Sequence, residues 1–187
     1  MGRLFYELKK KKKALAYYEK AIALKPDYVA AYNNLGIVLN GLRRYEAALQ
    51  SYDKAIALSP DNAEAYNNRG ITCANLKQYA AALQSYDRAI AFKPDYAEAY
   101  SNRGVTLRDL KRYEEALQSY DHAIALKPDY AEVYLNRGTA LADLKHYDLA
   151  LQSYGHAIEL KPDYAEAYLN RGNTLVDVRQ FVAAIQN

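Results

Sequence analysis

Apolar and small residues recur along the chain with spacings of three and four positions. In residues 97–130 they form two groups, Tyr100, Gly104, Leu107 and Leu110, then Tyr113, Ala116, Leu117, Tyr120, Ala123, Ile124 and Leu126. Such spacings place each group on one face of an α-helix. The connecting sequence DLKRY at 109–113 is too short for anything except an antiparallel turn. The pattern therefore predicts a helical hairpin.

The same pattern returns every 34 residues. Related sequences beginning Pro-Asp start at residues 26, 60, 94, 128 and 162, and the last of them reads PDYAEAYLNRG. The period defines four complete units, 29–62, 63–96, 97–130 and 131–164, with partial units at 1–28 and 165–187. One hairpin cannot bury its apolar face alone, whereas stacked hairpins form a continuous core. We therefore predict a single all-α array over 1–187.

Each repeat unit contains residues that predict where its helices begin and small residues that predict close helix packing. Asp95, Asp129 and Asp163 follow prolines and precede a glutamate by three residues, which predicts N-capping aspartates in capping boxes. Gly104 lies inside the first helix, where glycine costs ~1 kcal/mol relative to alanine. We expect close approach of the second helix to offset that cost, with Ala116 and Ala123 as its small partners.

The spacing of individual residues within a unit resembles that of the tetratricopeptide repeat. The residues that carry the resemblance are Tyr100, Gly104, Ala116, Tyr120, Ala123 and Pro128. The resemblance extends over the whole chain. It implies a right-handed superhelical solenoid of antiparallel helix pairs, in which the first helix of each pair lines a concave groove. It also implies a protein–protein interaction scaffold that binds extended peptide segments of partner proteins in that groove.

One position on the predicted groove face is asparagine in every unit. We call this row the asparagine ladder, which consists of Asn34, Asn68, Asn102, Asn136 and Asn170. Asparagine is a poor helix-interior residue, yet each carboxamide can donate to and accept from a peptide backbone. The alternative hypothesis is that duplication copied the asparagines, as it copied Ser51, Ser85, Ser119 and Ser153.

Neighbouring groove positions vary between units and are where selectivity is expected. With the ladder, the predicted peptide-binding residues are Asn33, Asn67, Val105, Arg108, Asp109 and Asp143. The acidic residues Asp109, Asp143 and Asp177 are only partly countered by Arg108. We therefore expect a ligand with small apolar groups and neutral or positive charge. Four arginines fall on the packed side, where we expect their head groups to reach water or a carboxylate: Arg69, Arg103, Arg137 and Arg171.

Catalytic, cofactor and metal sites are not predicted. His122, His146 and His156 form no pair at helical ligand spacing, and the glycines recur singly rather than in a phosphate-binding loop. Cys73 replaces a leucine on a packed face, which indicates a buried thiol rather than a nucleophile. We expect no enzyme activity from these residues, no cofactor and no bound metal.

Composition adds limits on partners and location. The net charge is +3, of which the five lysines at 9–13 contribute +5, so the rest of the chain carries −2. That balance does not favour nucleic acid, and the lysine run is interpreted as a solvated turn, with an anionic surface as the alternative. No segment is apolar enough to span a membrane. A single cysteine excludes an intrachain disulfide and fits a cytoplasmic location.

Both partial units lack polar capping helices, so we expect exposed apolar residues at both ends. These are Leu4, Phe5, Leu8 and Leu15 at one end and Val176, Val178, Phe181 and Ile185 at the other. Either the chain is a piece of a longer array, or copies associate through these ends. An alternative function is the substrate-recruiting arm of a larger enzyme such as a glycosyltransferase, since the repeats resemble those of protein O-linked N-acetylglucosamine transferase.

Overall fold

The computed structural model describes the backbone of residues 2–185 and the side chains of residues 10–178. Over this backbone the chain forms ten α-helices and no β-strand. The helices are α1 (Gly2–Leu24), α2 (Val29–Gly41), α3 (Tyr45–Leu58), α4 (Ala63–Asn75), α5 (Tyr79–Phe92), α6 (Ala97–Asp109), α7 (Tyr113–Leu126), α8 (Ala131–Asp143), α9 (Tyr147–Leu160) and α10 (Ala165–Ile185). The prediction of an all-α fold is confirmed.

The helices belong to two compact units, residues 1–94 and 95–187. In the first unit the hairpins α2–α3 and α4–α5 pack in succession, and α1 packs on α2. In the second unit the hairpins are α6–α7 and α8–α9, and α10 packs on α9. Within each unit the first helices of successive hairpins also touch, as α2 touches α4 and α8 touches α6 and α10. The predicted helix pairs are therefore present.

A left-handed residue closes each hairpin turn. Arg43, Lys77, Lys111 and Lys145 have φ between 58° and 62°. At the α6–α7 turn, the N–H of Lys111 donates to Arg108 at 2.8 Å and the N–H of Arg112 donates to Leu107 at 2.9 Å. These two bonds satisfy carbonyls at the end of α6 in the manner of a Schellman motif. The turn therefore has a defined geometry although it contains no glycine.

The capping boxes predicted at Asp95 and Asp129 are wrong. The N-cap of α8 is Tyr130, which makes no side-chain cap hydrogen bond. Its backbone N–H donates to Lys127 at 3.3 Å, closing a four-residue turn with Pro128 and Asp129 at its centre. Proline favours this turn at its second position, so the aspartate lies one residue too early to cap the helix. The same shift places Tyr96 at the N-cap of α6.

The interface inside each hairpin is a tyrosine ring against a glycine. A Cβ added to Gly36, Gly70, Gly104 or Gly138 would lie 2.5–2.6 Å from the ring of Tyr52, Tyr86, Tyr120 or Tyr154, respectively. These four tyrosines are at most 1% exposed. The expected close approach at the glycine is confirmed, but its partner is the aromatic ring. The alanines equivalent to Ala116 and Ala123 are fully buried around that ring.

The two partial units are not hairpins. α1 is one helix through the position where the other units turn, and α10 likewise continues from Ala165 to Ile185. A hairpin turn is held by the docking of its second helix on the first. In the described part of the chain neither α1 nor α10 is folded back on itself in this way. Each segment therefore continues as one uninterrupted helix.

Candidate functional site

In each of the two compact units, 1–94 and 95–187, the first helices of successive hairpins present one polar surface. We call this surface the first-helix wall, formed by α2 and α4 in the first unit and by α6, α8 and α10 in the second. In the first unit Asn68 Nδ2 donates to Asn33 Oδ1 at 3.1 Å, and Asn75 Nδ2 donates to Asn40 Oδ1 at 3.1 Å. Both pairs join residues 35 positions apart. Carboxamides thus link neighbouring helices across the wall.

A threonine extends this network in the first unit. Thr72 is fully buried, and its hydroxyl lies 3.2 Å from Asn40 Oδ1 and 3.0 Å from the carbonyl of Asn68. Because a buried hydroxyl without a partner is costly, the bond with Asn40 helps to fix α4 against α2. The polar groups here contribute to packing between repeats.

The wall of the second unit is less completely bonded within the chain. Asn170 Nδ2 lies 3.4 Å from Thr139 Oγ1, whose own hydroxyl donates to the carbonyl of Leu135 at 3.0 Å. Asn136 precedes Asn170 in the ladder, is partly exposed and makes no side-chain hydrogen bond with the described residues. The five ladder asparagines are therefore not equivalent. Asn68 and Asn170 are bonded internally, whereas Asn136 can offer both its donor and its acceptor to a ligand.

The structure differs from expectation at Asn33 and Asn67. Their side chains are only 7% and 5% exposed, respectively. We therefore leave both out of the candidate contact surface. The remaining predicted residues lie on the wall as partly exposed or exposed side chains: Asn34, Asn68, Asn102, Asn136, Asn170, Val105, Arg108, Asp109 and Asp143.

The second unit gives its wall an acidic edge. Asp109, Asp143 and Asp177 are exposed at successive repeat positions. Arg108 is the basic residue beside them, and its guanidinium is 3.9 Å from the Asp109 carboxylate. A single cation at that distance from solvated carboxylates neutralises little of the row. The equivalent positions of the first unit are neutral, with Gly41 and Asn75 in register.

The repeated arginines lie away from the wall and have structural partners. Arg137 Nε donates to Asp121 at 2.7 Å and its terminal nitrogen donates to the buried Ser153 hydroxyl at 2.8 Å. Arg69 repeats this arrangement with Asp53 at 2.8 Å and Ser85 at 2.9 Å. The expectation that these head groups reach a carboxylate is confirmed for both. They bridge adjacent second helices through the intervening first helix.

Buried titratable groups give no sign of catalytic tuning. Cys73 is 1% exposed, and burial raises the pKa of its thiol. Burial also raises the pKa of Tyr52 to about 12, partly opposed by a hydrogen bond with Thr72. Both shifts favour the neutral, unreactive form. Among the described residues, no group of histidine, cysteine and acidic side chains is arranged to hold a metal ion.

Sequence reasoning missed the residues that hold the wall together. Asn40, Thr72 and Thr139 accept or donate the bonds between first helices but were not predicted as a set. The available signal was the spacing of 31–35 residues between polar side chains in neighbouring first helices.

Of the apolar residues predicted to be exposed at the two ends, Val176 is 54% exposed and Leu15 packs near Leu39. Leu4, Phe5, Leu8, Lys9, Phe181 and Ile185 lie outside the described side chains.

No helix in the described part of the chain has the length and apolar character that a bilayer crossing requires.

Comparison with known proteins identifies the repeat. The model of the family described as TPR repeat matches residues 2–41, 44–77, 72–107, 106–145 and 138–177. No curated protein matches the chain.

Solved structures agree with the family match. MamA is 26% identical, covering 81% of this chain and 89% of its own, with a TM-score of 0.72. YrrB, described as a TPR protein with an unusual peptide-binding site, is 25% identical over 91% of this chain and 88% of its own, with a TM-score of 0.71. TTC0263, a thermophilic TPR protein of Thermus thermophilus, shares the fold at 22% identity and a TM-score of 0.75, covering 94% of this chain and 95% of its own. The chain belongs to the tetratricopeptide repeat (TPR) family.

Proposed function

We propose that this protein is a protein–protein interaction scaffold that binds extended peptide segments of partner proteins along its first-helix wall. The observation that carries the proposal is the exposed polar wall of the second unit. There Asn136 has no hydrogen-bond partner among the described side chains, and Asp109 and Asp143 are exposed. YrrB, which resembles the chain over most of its length, is described as having a peptide-binding site.

The chemistry of the wall defines the ligand class. A carboxamide without an internal partner can pair with the N–H and C=O groups of an extended peptide backbone. This pairing does not depend on the side chains of the peptide. Val105 and Thr139 are partly exposed beside the ladder and offer contacts to small apolar side chains. The exposed carboxylates of Asp109, Asp143 and Asp177 favour lysine or arginine in the peptide. The expected ligand is an extended segment with small apolar residues and positive charge.

The alternative hypothesis, that duplication copied the ladder without a binding role, makes a different prediction. Asn68 donates to Asn33, so removing its side chain leaves a nearly buried carboxamide without that donor. A ladder that was merely copied would leave peptide affinity unchanged when any of its members is replaced, whatever the effect on stability. A binding ladder requires some members, led by Asn136, to affect affinity without affecting stability.

The experiment uses the full chain and a library of extended peptides that differ in charge and side-chain size. Peptides selected by the wild-type chain are titrated by calorimetry against Asn136→Ala, Asn68→Ala and the double variant Asn102→Ala, Asn136→Ala. Gln118→Ala, a change on a second helix away from the wall, serves as the matched control. We expect weaker binding by the double variant and by Asn136→Ala, with unchanged binding by Gln118→Ala. Equal affinities for all variants would reject the wall as the site.

The same wall would serve equally in the substrate-recruiting arm of a larger enzyme such as a glycosyltransferase. In that alternative the selected peptides would be substrate segments of the attached catalytic domain. No catalytic role is assigned to the repeats in either case. Reaction products on the selected peptides in the presence of the full-length protein would favour the alternative.

A further inference from the structure

The helix α10, which occupies the place of a first helix, has an apolar face that is exposed between Tyr168 and Val176. Leu175 is 51% exposed, whereas its equivalents Leu107 and Leu141 are 0% and 2% exposed. Tyr168, seven residues earlier on the same face, is 50% exposed. A Cβ added to Gly172 would meet no atom within 4 Å, although in the four hairpins the equivalent glycine faces a tyrosine ring. This face therefore has the shape that accepts a second helix, and no helix in the described part of the chain covers it.

The helix α1 has the matching face of a second helix. By the 34-residue register, Ala14, Tyr18 and Ala21 are equivalent to Ala48, Tyr52 and Ala55. Those three residues of α3 are at most 1% exposed, whereas their equivalents on α1 are only partly buried. Because α1 is one continuous helix from Gly2 to Leu24, its first half cannot fold back to place a glycine on Tyr18. The tyrosine therefore lacks the glycine partner that every hairpin provides.

We propose that α1 of a second copy of this chain docks antiparallel on α10 and completes an intermolecular hairpin. In that hairpin the ring of Tyr18 of the second copy occupies the space above Gly172. Its alanines pack around the contact as Ala116 and Ala123 do around Tyr120 within a hairpin. The occupant is specified by the repeat itself, because the two faces are the two halves of one interface that the chain forms four times internally.

Charge supports the same orientation. Antiparallel docking brings the beginning of the second helix beside the end of the first. On α1 that region carries the exposed Lys12 and Lys13, and on α10 it carries the exposed Asp177. Because these opposite charges are solvated, their attraction favours the antiparallel orientation more than it adds affinity. The attraction weakens as the salt concentration rises.

The contact is heterologous, since one copy contributes α1 and the other contributes α10. Such contacts do not close on themselves between two copies and produce linear assemblies or rings. The contact centres on one helix pair, and small interfaces of this kind are weak. The association is therefore expected to depend on concentration rather than to be permanent.

The test compares two glycine substitutions by sedimentation velocity from micromolar to near-millimolar protein. Gly172→Leu blocks the proposed contact, while Gly155→Leu is its control, because neither glycine has a described atom within 4 Å of an added Cβ. Wild type and Gly155→Leu are expected to sediment faster as concentration rises. Gly172→Leu is expected to lose this concentration dependence and to sediment as a monomer over the same range. The proposal would be overturned if the wild-type chain stayed monomeric at all concentrations, or if Gly172→Leu and Gly155→Leu associated equally.

Mixing two variants tests the head-to-tail arrangement. Tyr18→Ala removes the second-helix face but keeps α10, and Gly172→Leu does the reverse. Each variant alone is expected to remain monomeric, whereas an equimolar mixture is expected to form a complex of one copy each and nothing longer. Association of Tyr18→Ala alone would indicate a symmetric α10 contact and overturn the proposal. Thermal melts verify that each variant folds. If Tyr18→Ala does not fold, the comparison of Gly172→Leu with Gly155→Leu tests the proposal by itself.

Discussion

A Cβ atom on Gly104 would lie 2.5 Å from Cε1 of the Tyr120 ring. Neither group can yield easily, because the ring is fully buried and the glycine belongs to the middle of α6. The glycine therefore permits the approach of the two helices on which each hairpin depends. Its cost in helix propensity is offset by the burial of an aromatic ring.

Gly104→Ala is predicted to destabilise the chain although alanine is the better helix former. Overpacking a core contact costs roughly 1–3 kcal/mol, which exceeds the gain of about 1 kcal/mol in helix propensity. The midpoint of urea unfolding should fall. Gly155→Ala, with nothing within 4 Å of the added atom, should raise the midpoint instead. A rise for both variants would contradict the packing account.

Tyr120→Phe is predicted to leave stability unchanged or to raise it slightly. The Tyr120 hydroxyl is buried without a hydrogen-bond partner among the described residues, whereas the Tyr154 hydroxyl bonds with Thr139 and Thr174. In the repeat register, Ala140 takes the place held by Thr72 and Thr174 in other units, which explains the missing partner. Tyr154→Phe should therefore cost about 1 kcal/mol in unfolding free energy. Equal losses for the two variants would argue that Tyr120 has a partner in solution.

Stability is predicted to fall in alkaline solution. Burial raises the pKa of Tyr52 from 10.0 to about 12, so the unfolded chain loses this proton first. The unfolding free energy contributed by this group is fully present below the unfolded pKa and declines by roughly 2–3 kcal/mol as the pH rises through the folded pKa. Urea midpoints measured at increasing pH should fall in this window. Tyr52→Phe should show a shallower decline, and an unchanged slope would contradict the assignment.

The periodic part of the fold was predictable because each 34-residue repeat has the same spacing of apolar and small residues. Spacings of three and four around Gly104 and Tyr120 indicate two amphipathic faces, and the short DLKRY sequence indicates where the chain turns between them. The caps were not predictable from Asp129 alone. The adjacent Pro128 favours a turn that competes with capping, and only the backbone geometry shows which of the two forms.

The candidate site was predictable in composition but not in exposure. The register indicates that Asn33 and Asn34 share a helix face, yet it does not show that Asn33 is buried. Whether Asn68 faces a ligand or another asparagine likewise depends on the distance between α2 and α4. The continuous α10 was missed for a similar reason, since a hairpin turn depends on a docked second helix rather than on local sequence.

The most direct test of the peptide-binding wall is chemical-shift mapping of the full chain with a selected basic peptide at a protein concentration low enough to avoid self-association. The account predicts that the largest backbone shifts occur on α6 and α8, around Val105, Asn136 and Asp143. Shifts confined to the second helices, around Asp121 and Gln152, would contradict it.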